Sequence, residues 1–207
     1  MYDFIHIPKK SDIQIQKYLE FVMKVEPITS EKDIRRLKKL LANQPKYLLL
    51  VTMGFNTGLR TGDLLNLKVW QVEDKNVGDR VVITEQKTNK MNVIIINKSI
   101  KTALDYYLSS TEHLPEDYLF KSRKFNNKPL TVYAVHHYMQ NWCNQLGLKG
   151  NYGSYTLRKT YAYQARMKGI PIEIIQRRLN HTTPEVTLRY ICIQNSEVEN
   201  SLLNLNI

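Results

Sequence analysis

Glycine and proline are scarce in this chain of 207 residues, at eight and seven, and cysteine is almost missing, at two. Collagen-like and low-complexity chains need several times more glycine and proline, so those classes are excluded. Two thiols, Cys143 and Cys192, cannot make the disulfide framework of a small secreted domain. Set among hydrophobic or helix-compatible neighbours, they read as reduced packing residues. No stretch comes near the ~18 uninterrupted apolar residues of a membrane span, and the mixed-charge opening "MYDFIHIPKKSDIQ" lacks the apolar core of a signal peptide. A cytoplasmic protein is the expectation. Also missing are a clustered Asp/Glu set for two metals, a zinc-ligand spacing and a Walker loop, so neither a metal nor a nucleotide cofactor is expected. No internal repeat, low-complexity tract or Gly/Ser linker breaks the chain.

What is abundant is positive charge. Thirty Lys and Arg against nineteen Asp and Glu leave a formal charge of +11. Such a balance favours a polyanionic partner, because neutralising phosphates releases condensed counterions and supplies most non-specific nucleic-acid affinity. With 43% hydrophobic and 24% charged residues, the chain is long enough to bury a substantial core as one domain, with or without a small appendage.

Apolar spacing and end signals predict mainly helices. "SDIQIQKYLEFVMKV", residues 11–25, puts Ile15, Tyr18, Leu19, Val22 and Met23 on one face, and Pro27 ends it. "ITSEKDIRRLKKLLANQ" opens with a Ser or Thr cap followed by acids and closes on a basic turn, the order a helix dipole prefers. A helix from Pro45, "PKYLLLVTMGFNTG", is closed by Gly58, and a short one, "TGDLLNLKVWQVE", follows. The texture then changes: "DRVVITEQKTNKMNVIIIN" gives two β-branched runs about the polar turn "QKTNK", a hairpin. Helices resume in "SIKTALDYYLSST" and "TVYAVHHYMQNWCNQLG", then in short pieces of "SYTLRKTYAYQARMKGIPIEIIQRRLNHTTPEVTLRYI", and last in "NSEVENSLLNLNI". The expected class is α+β: mainly α, with a small β-hairpin or three-stranded sheet.

A few polar groups interrupt this text. Arg60 opens the helix after Gly58 with Asp63 one turn on; its planar fork suits a phosphate, or it is a surface arginine paired with Asp63. Lys87 and Lys90 ride on the hairpin turn, where they reach a phosphate or are merely solvated. Leu157, Tyr161 and Ala165 recur every four residues and face a core, leaving Arg158 beside that stripe and Lys159 and Arg166 as solvent groups. His181 follows Asn180, a fair left-handed helix terminator, and Tyr190 comes nine residues after His181. Singly, each reads as an ion pair, a cap or a core residue.

In order, they resemble the catalytic domain of the tyrosine recombinases, the phage-integrase family, over roughly residues 28–205. The family motif T-G-L-R-x-x-E-L is met by "TGLRTGDL", with Asp63 in the glutamate's place, and the family's strand-turn-strand with its K-T-G-K-like turn by "EQKTNKMNVIII". The H-x-L-R-H-T-F-A box is similar to "YTLRKTYA", the L-G-H box to "LNH", and Tyr190 occupies the nucleophile's place. Three positions depart from the pattern: Tyr155 stands for the first histidine of the box, Lys159 for the histidine after the arginine, and Asn180 for the glycine before His181.

The resemblance implies roles. Arg60 and Arg158 would clamp the non-bridging oxygens of a scissile phosphate and His181 would donate one more hydrogen bond, each such donor being worth roughly 10²–10³-fold in rate. Lys87, with Lys90 second, would protonate the departing 5′-oxygen, and Tyr190 would form a 3′-phosphotyrosyl link that needs neither ATP nor metal. A phenol titrating near ~10 is a poor base at neutral pH, so with Tyr155 in the histidine's place either the paired arginines would lower the Tyr190 pKa, or the phosphate or water would take its proton. Asp63 and Tyr155 are supporting candidates, and Lys90, Lys159, Arg177 and Arg178 are candidate DNA contacts.

The implied function is site-specific recombination: integration, excision or inversion of double-stranded DNA at a specific core site. A homotetramer is expected on DNA, a monomer or weak oligomer without it, and no membrane. A catalytically impaired DNA-binding protein on the same fold and a type IB topoisomerase-like enzyme are the alternatives. Residues 1–26 are expected to be a tail or a remnant of a core-binding domain, and 27–207 the catalytic domain, with a helix near 195–207 that docks on a neighbouring protomer.

Overall fold

The structure, a computed structural model, describes residues 25–124, 126–191 and 203. The expected helix over 11–25, apart from Val25, the terminal helix near 195–207, apart from Leu203, and Cys192 lie outside the described residues.

Helix α1 (Glu31–Leu40) begins where the sequence places its cap: Ser30 Oγ accepts the Asp33 N–H at 3.3 Å, with Glu31 and Asp33 in the first turn and Lys38 and Lys39 in the last. Helix α2 (Pro45–Thr57) starts on proline and ends at Gly58, whose φ of 62° is the left-handed cap. Its buried residues run consecutively from Leu49 to Gly54, so no face is left for water and the helix lies at the centre of the domain. Helices α4 (Lys98–Ser110) and α6 (Ser154–Met167) pack on it. The approach of α6 is close enough that a Cβ on Gly54 would stand 2.9 Å from Leu157 Cβ.

The short helix expected after Gly58 is split. Helix α3 (Thr61–Leu65) stops, Lys68 is extended, and a 3-10 turn follows at Val69–Gln71. Long-range backbone pairing is the reason: Lys68 bridges Tyr118, and Leu119 N–H reaches Leu67 O at 2.8 Å. Strands β1 (Arg80–Thr84) and β2 (Met91–Ile95) form the expected hairpin as a two-stranded antiparallel sheet, Arg80 opposite Ile95 and Thr84 opposite Met91. Val81, Ile83, Asn92 and Ile94 turn inward, the period-2 pattern of a half-buried sheet. Helix α5 (Val132–Gln145), capped by Thr131, precedes α6, and α7 (Ile172–Arg178) and α8 (Pro184–Ile191) complete the described chain.

The chain on either side of Pro27 is tied into the packed structure. Glu26 N–H reaches Asn151 O at 2.6 Å, Thr156 Oγ1 donates to Glu26 O at 2.9 Å, and Ile28 N–H donates to Thr160 Oγ1 at 2.9 Å. The main core spans α1 to α5 and ends at Leu157; a smaller one gathers Ala162, Ala165, Ile175, Leu179 and Tyr190. Cys143 is buried in the main core, and burial pushes its thiol up to about 12. The stripe on α6 is broader than its apolar residues: Arg158 and Lys159, expected beside it and in solvent, are 1% and 7% exposed.

Candidate active site

Two helix ends and one hairpin turn face each other where α2, α6, α7 and α8 meet. Arg158 projects from α6 into this junction. Its Nη1 donates to Gly58 O at 2.7 Å and its Nη2 to Leu179 O at 2.5 Å. Both acceptors are C-cap carbonyls, of α2 and α7, so one guanidinium satisfies orphan acceptors at two negative helix ends. Burial lowers its pKa to about 10, still far above neutrality, so the group stays charged.

Arg60 is the N-cap of α3, held extended at φ −65° and ψ 142° directly after the left-handed turn at Gly58. It does not pair with Asp63. Its Nη1 meets Glu85 Oε2 at 2.5 Å, at the foot of the hairpin turn. Glu85 is fully buried and also accepts from Thr88 Oγ1 and Asn92 Nδ2, each at 2.7 Å. Burial by itself would raise the carboxyl, but the Thr88 and Asn92 donors, the facing Asn180 amide and Arg60 outweigh it and hold the pKa at about 2.

Asp63 is buried instead as an anchor: its Oδ1 accepts the Gln86 N–H at 2.9 Å, fastening the turn that carries Lys87 to α3. Lys87 and Lys90 are exposed on that turn. Thus the turn is fixed at both of its roots, by Asp63 and by Glu85, while its lysine tips reach into solvent.

His181 follows Asn180, whose φ of 50° is the left-handed terminator expected there. Its Nε2 lies 3.3 Å from Arg158 Nη2 and its Nδ1 3.0 Å from Thr187 Oγ1. A guanidinium only donates, so Nε2 is assigned as acceptor and Nδ1 as the protonated nitrogen. Burial, then the charges of Arg158 and Arg60, lower the imidazole to about 4, against a pull upward from Glu85. His181 is therefore neutral at pH 7.

Tyr190, on α8, is 8% exposed, and its ring centroid is 4.7 Å from that of His181. Arg158 Cζ stands 5.8 Å and Lys159 Nζ 5.6 Å from the ring centre. Burial raises the phenol's pKa, Arg158 and Arg60 pull it down, and the half-buried Tyr155 pushes it up. The structure thus brings Arg60, Arg158, His181 and Tyr190 together.

The expected DNA contacts divide. Arg177 is exposed at the end of α7, but Arg178 turns inward: its Nε donates to Thr57 O and its Nη1 to Asn92 Oδ1, both at 2.5 Å, and it also bonds Val93 O. Arg178 is a staple between α7, the end of α2 and β2. Lys159 is buried against Tyr190. Two site residues escaped the sequence. Glu85 carried a readable sign, because Val81, Ile83 and Glu85 share the inward parity of β1, and a carboxylate in a core register needs a charged partner. Thr187 carried none.

Among the described residues, no group of three or more His, Cys, Asp or Glu is arranged to hold a metal ion, and no helix is long and apolar enough to cross a membrane. The family model described as "Phage integrase family" matches residues 28–197. The chain is 35% identical over 171 residues to the "Probable integrase/recombinase YoeC" of Bacillus subtilis (strain 168), covering 82% of this chain and 90% of that protein. It is 31% identical over 185 residues to a "Tyrosine recombinase" of Pseudothermotoga lettingae, covering 89% of this chain but only 56% of that longer protein. In fold it matches the crystal structure of XerA recombinase with a TM-score of 0.73 at 21% identity, over 88% of this chain and 67% of that one. XerH site-specific recombinase bound to its difH substrate matches with a TM-score of 0.67 at 18% identity, over 88% and 55%.

Proposed function

The chain belongs to the phage integrase family, and on that premise we propose that it is a site-specific DNA recombinase that cleaves and rejoins strands through a 3′-phosphotyrosyl intermediate. One observation carries this reading: two arginines from distant parts of the chain and a neutral histidine surround a single buried tyrosine. Attack on a phosphodiester gathers negative charge on the non-bridging oxygens, and donors fixed in advance stabilise that charge without reorganising.

Arg60 spends Nη1 on Glu85 and keeps its other N–H groups for a phosphate; Arg158 is aimed by two carbonyls. Tyr190 Oη gives its proton to water and attacks phosphorus, the bond to the 5′-oxygen breaks, and that oxygen takes a proton from Lys87. In rejoining, a 5′-hydroxyl returns its proton to Lys87 and displaces the tyrosine. A phosphate set between the arginines offsets the charges that lower the His181 pKa, so that Nε2 can carry the proton donated to a non-bridging oxygen. In this scheme the cations supply the charge a metal would, and the phosphotyrosyl link keeps the energy ATP would supply.

The partner is double-stranded DNA with a specific core site, in keeping with the charge of +11. We assign phosphate contacts to the exposed Lys90 and Arg177. Assembly as a homotetramer on that DNA is part of the proposal.

The test is a duplex nicked beside the scissile phosphate, which lets the short 5′-fragment diffuse away. Wild-type protein should give a covalent adduct on a denaturing gel and Tyr190→Phe none. DNA binding without an adduct at any pH would overturn the reading in favour of a binding protein, and relaxation of any supercoiled plasmid would favour a topoisomerase.

A further inference from the structure

We propose that Lys159 makes Tyr190 a competent nucleophile, as a positioning residue whose ammonium stands over the tyrosine ring and stabilises its phenolate. The inference rests on the recombinase reading above and names how the nucleophile of that site is ionised.

Arg158 and Lys159 are consecutive on α6, about 100° apart around a helix, and α8 packs on α6, so that the cationic ends of both come close to the Tyr190 ring. The two distances to the ring centre are 5.8 Å for Arg158 and 5.6 Å for Lys159. A lysine that is only 7% exposed is unusual and has a reason to be held there. A cation over a neutral phenol gains little; over a phenolate, whose charge spreads onto the ring carbons, it gains much more. Two cations on one ring therefore favour its ionised form.

The need is equally visible. Burial raises the Tyr190 pKa, and Tyr155, which stands where the resemblance calls for histidine, raises it further. The titratable and charged groups about the ring are Arg158, Lys159 and Tyr155 from α6, His181 from the turn before α8, Arg60 from the cap of α3 and Glu85 behind the arginines. From α7, Ile175 and Leu179 share a buried cluster with Tyr190. His181 turns its assigned acceptor nitrogen to Arg158, which leaves the cations as the means of lowering the phenol's pKa. The phenol O–H ionises, its proton passes to solvent water, and Lys159 keeps its own proton. The resulting oxygen anion then forms the bond to phosphorus while the 5′-oxygen leaves with the proton of Lys87.

The experiment measures the rate of Tyr190 adduct formation on the nicked duplex from pH 6 to pH 10. Lys159→Met keeps the stem and removes the charge: the rate should fall at least about tenfold at pH 7, equal to one pKa unit, and recover towards wild type as pH rises. Lys159→Arg should stay near wild type. Equal rates for Lys159→Met and wild type, or the same loss at every pH, overturn the proposal. If Lys159→Met does not fold, Lys159→His carries the test, its rate relative to wild type falling as pH rises and the imidazole loses its charge. Failure of both to fold overturns the proposal in favour of a packing role. An absent adduct in wild-type protein overturns the recombinase reading itself; an adduct present in wild type and indifferent to residue 159 overturns only this inference.

Discussion

Arg60 and Glu85 form an ion pair inside the candidate site, Nη1 to Oε2 at 2.5 Å, with the carboxylate wholly buried and the guanidinium side chain 18% exposed. The same carboxylate holds Thr88 and Asn92 of the hairpin. One buried group thus registers Arg60 against the turn that carries Lys87.

Removing that group should cost stability. Glu85→Ala leaves Arg60 without its buried partner and is expected to destabilise the fold by roughly 3–5 kcal/mol in urea titrations. The pH dependence has a definite sign. The folded carboxyl titrates at about 2 against an ordinary 4.5, so its stabilisation is complete above 4.5 and is lost as pH falls towards 2. Acid unfolding of Glu85→Gln should be flatter than wild type across that window.

His181 acts in a different range. Its folded pKa of about 4 lies below the ordinary 6.5, so between those values the unfolded chain binds the proton and the folded one does not. Stability should decline as pH falls from 6.5 to 4, and His181→Gln should remove that part of the decline. Bound DNA should raise the His181 pKa, since a phosphate opposes the arginine charges; the ring proton shifts in an NMR titration measure this directly.

Arg177 and Arg178 are neighbours with opposite expectations. Arg177→Ala should reduce the salt slope of DNA binding by about 0.9, the share of one phosphate, with little change in stability. Arg178→Ala should leave the slope unchanged and destabilise the fold by at least about 2 kcal/mol, because it strips donors from Thr57, Asn92 and Val93. Equal slopes for the two variants would contradict the division.

Gly58→Ala should be damaging out of proportion to its size. A Cβ there would stand 2.4 Å from Tyr161 Cδ1, and the φ of 62° disfavours any L side chain by roughly 1–2 kcal/mol. Because Gly58 O aims Arg158, adduct formation should fall along with the melting temperature.

The chain's local chemistry determined most of its elements. A serine followed by acids at Ser30, a proline at Pro45, a glycine at Gly58 and an asparagine at Asn180 each act within one turn of backbone, and alternation along β1 and β2 sets the hairpin's inward face. The ordered boxes around Arg60, Lys87, Arg158, His181 and Tyr190 were legible too, because they are spaced along the sequence. What a charged side chain faces is a different kind of fact. Nothing near Arg158 or Lys159 in sequence says that they are buried, nothing near Arg178 says that it turns inward, and Asp63 is one turn from Arg60 yet holds Gln86 instead. Those outcomes depend on helix ends from α2 and α7, strand β2 and helix α8 arriving at one junction, where orphan carbonyls and a buried carboxylate decide which cation is drawn inward and which stays in solvent.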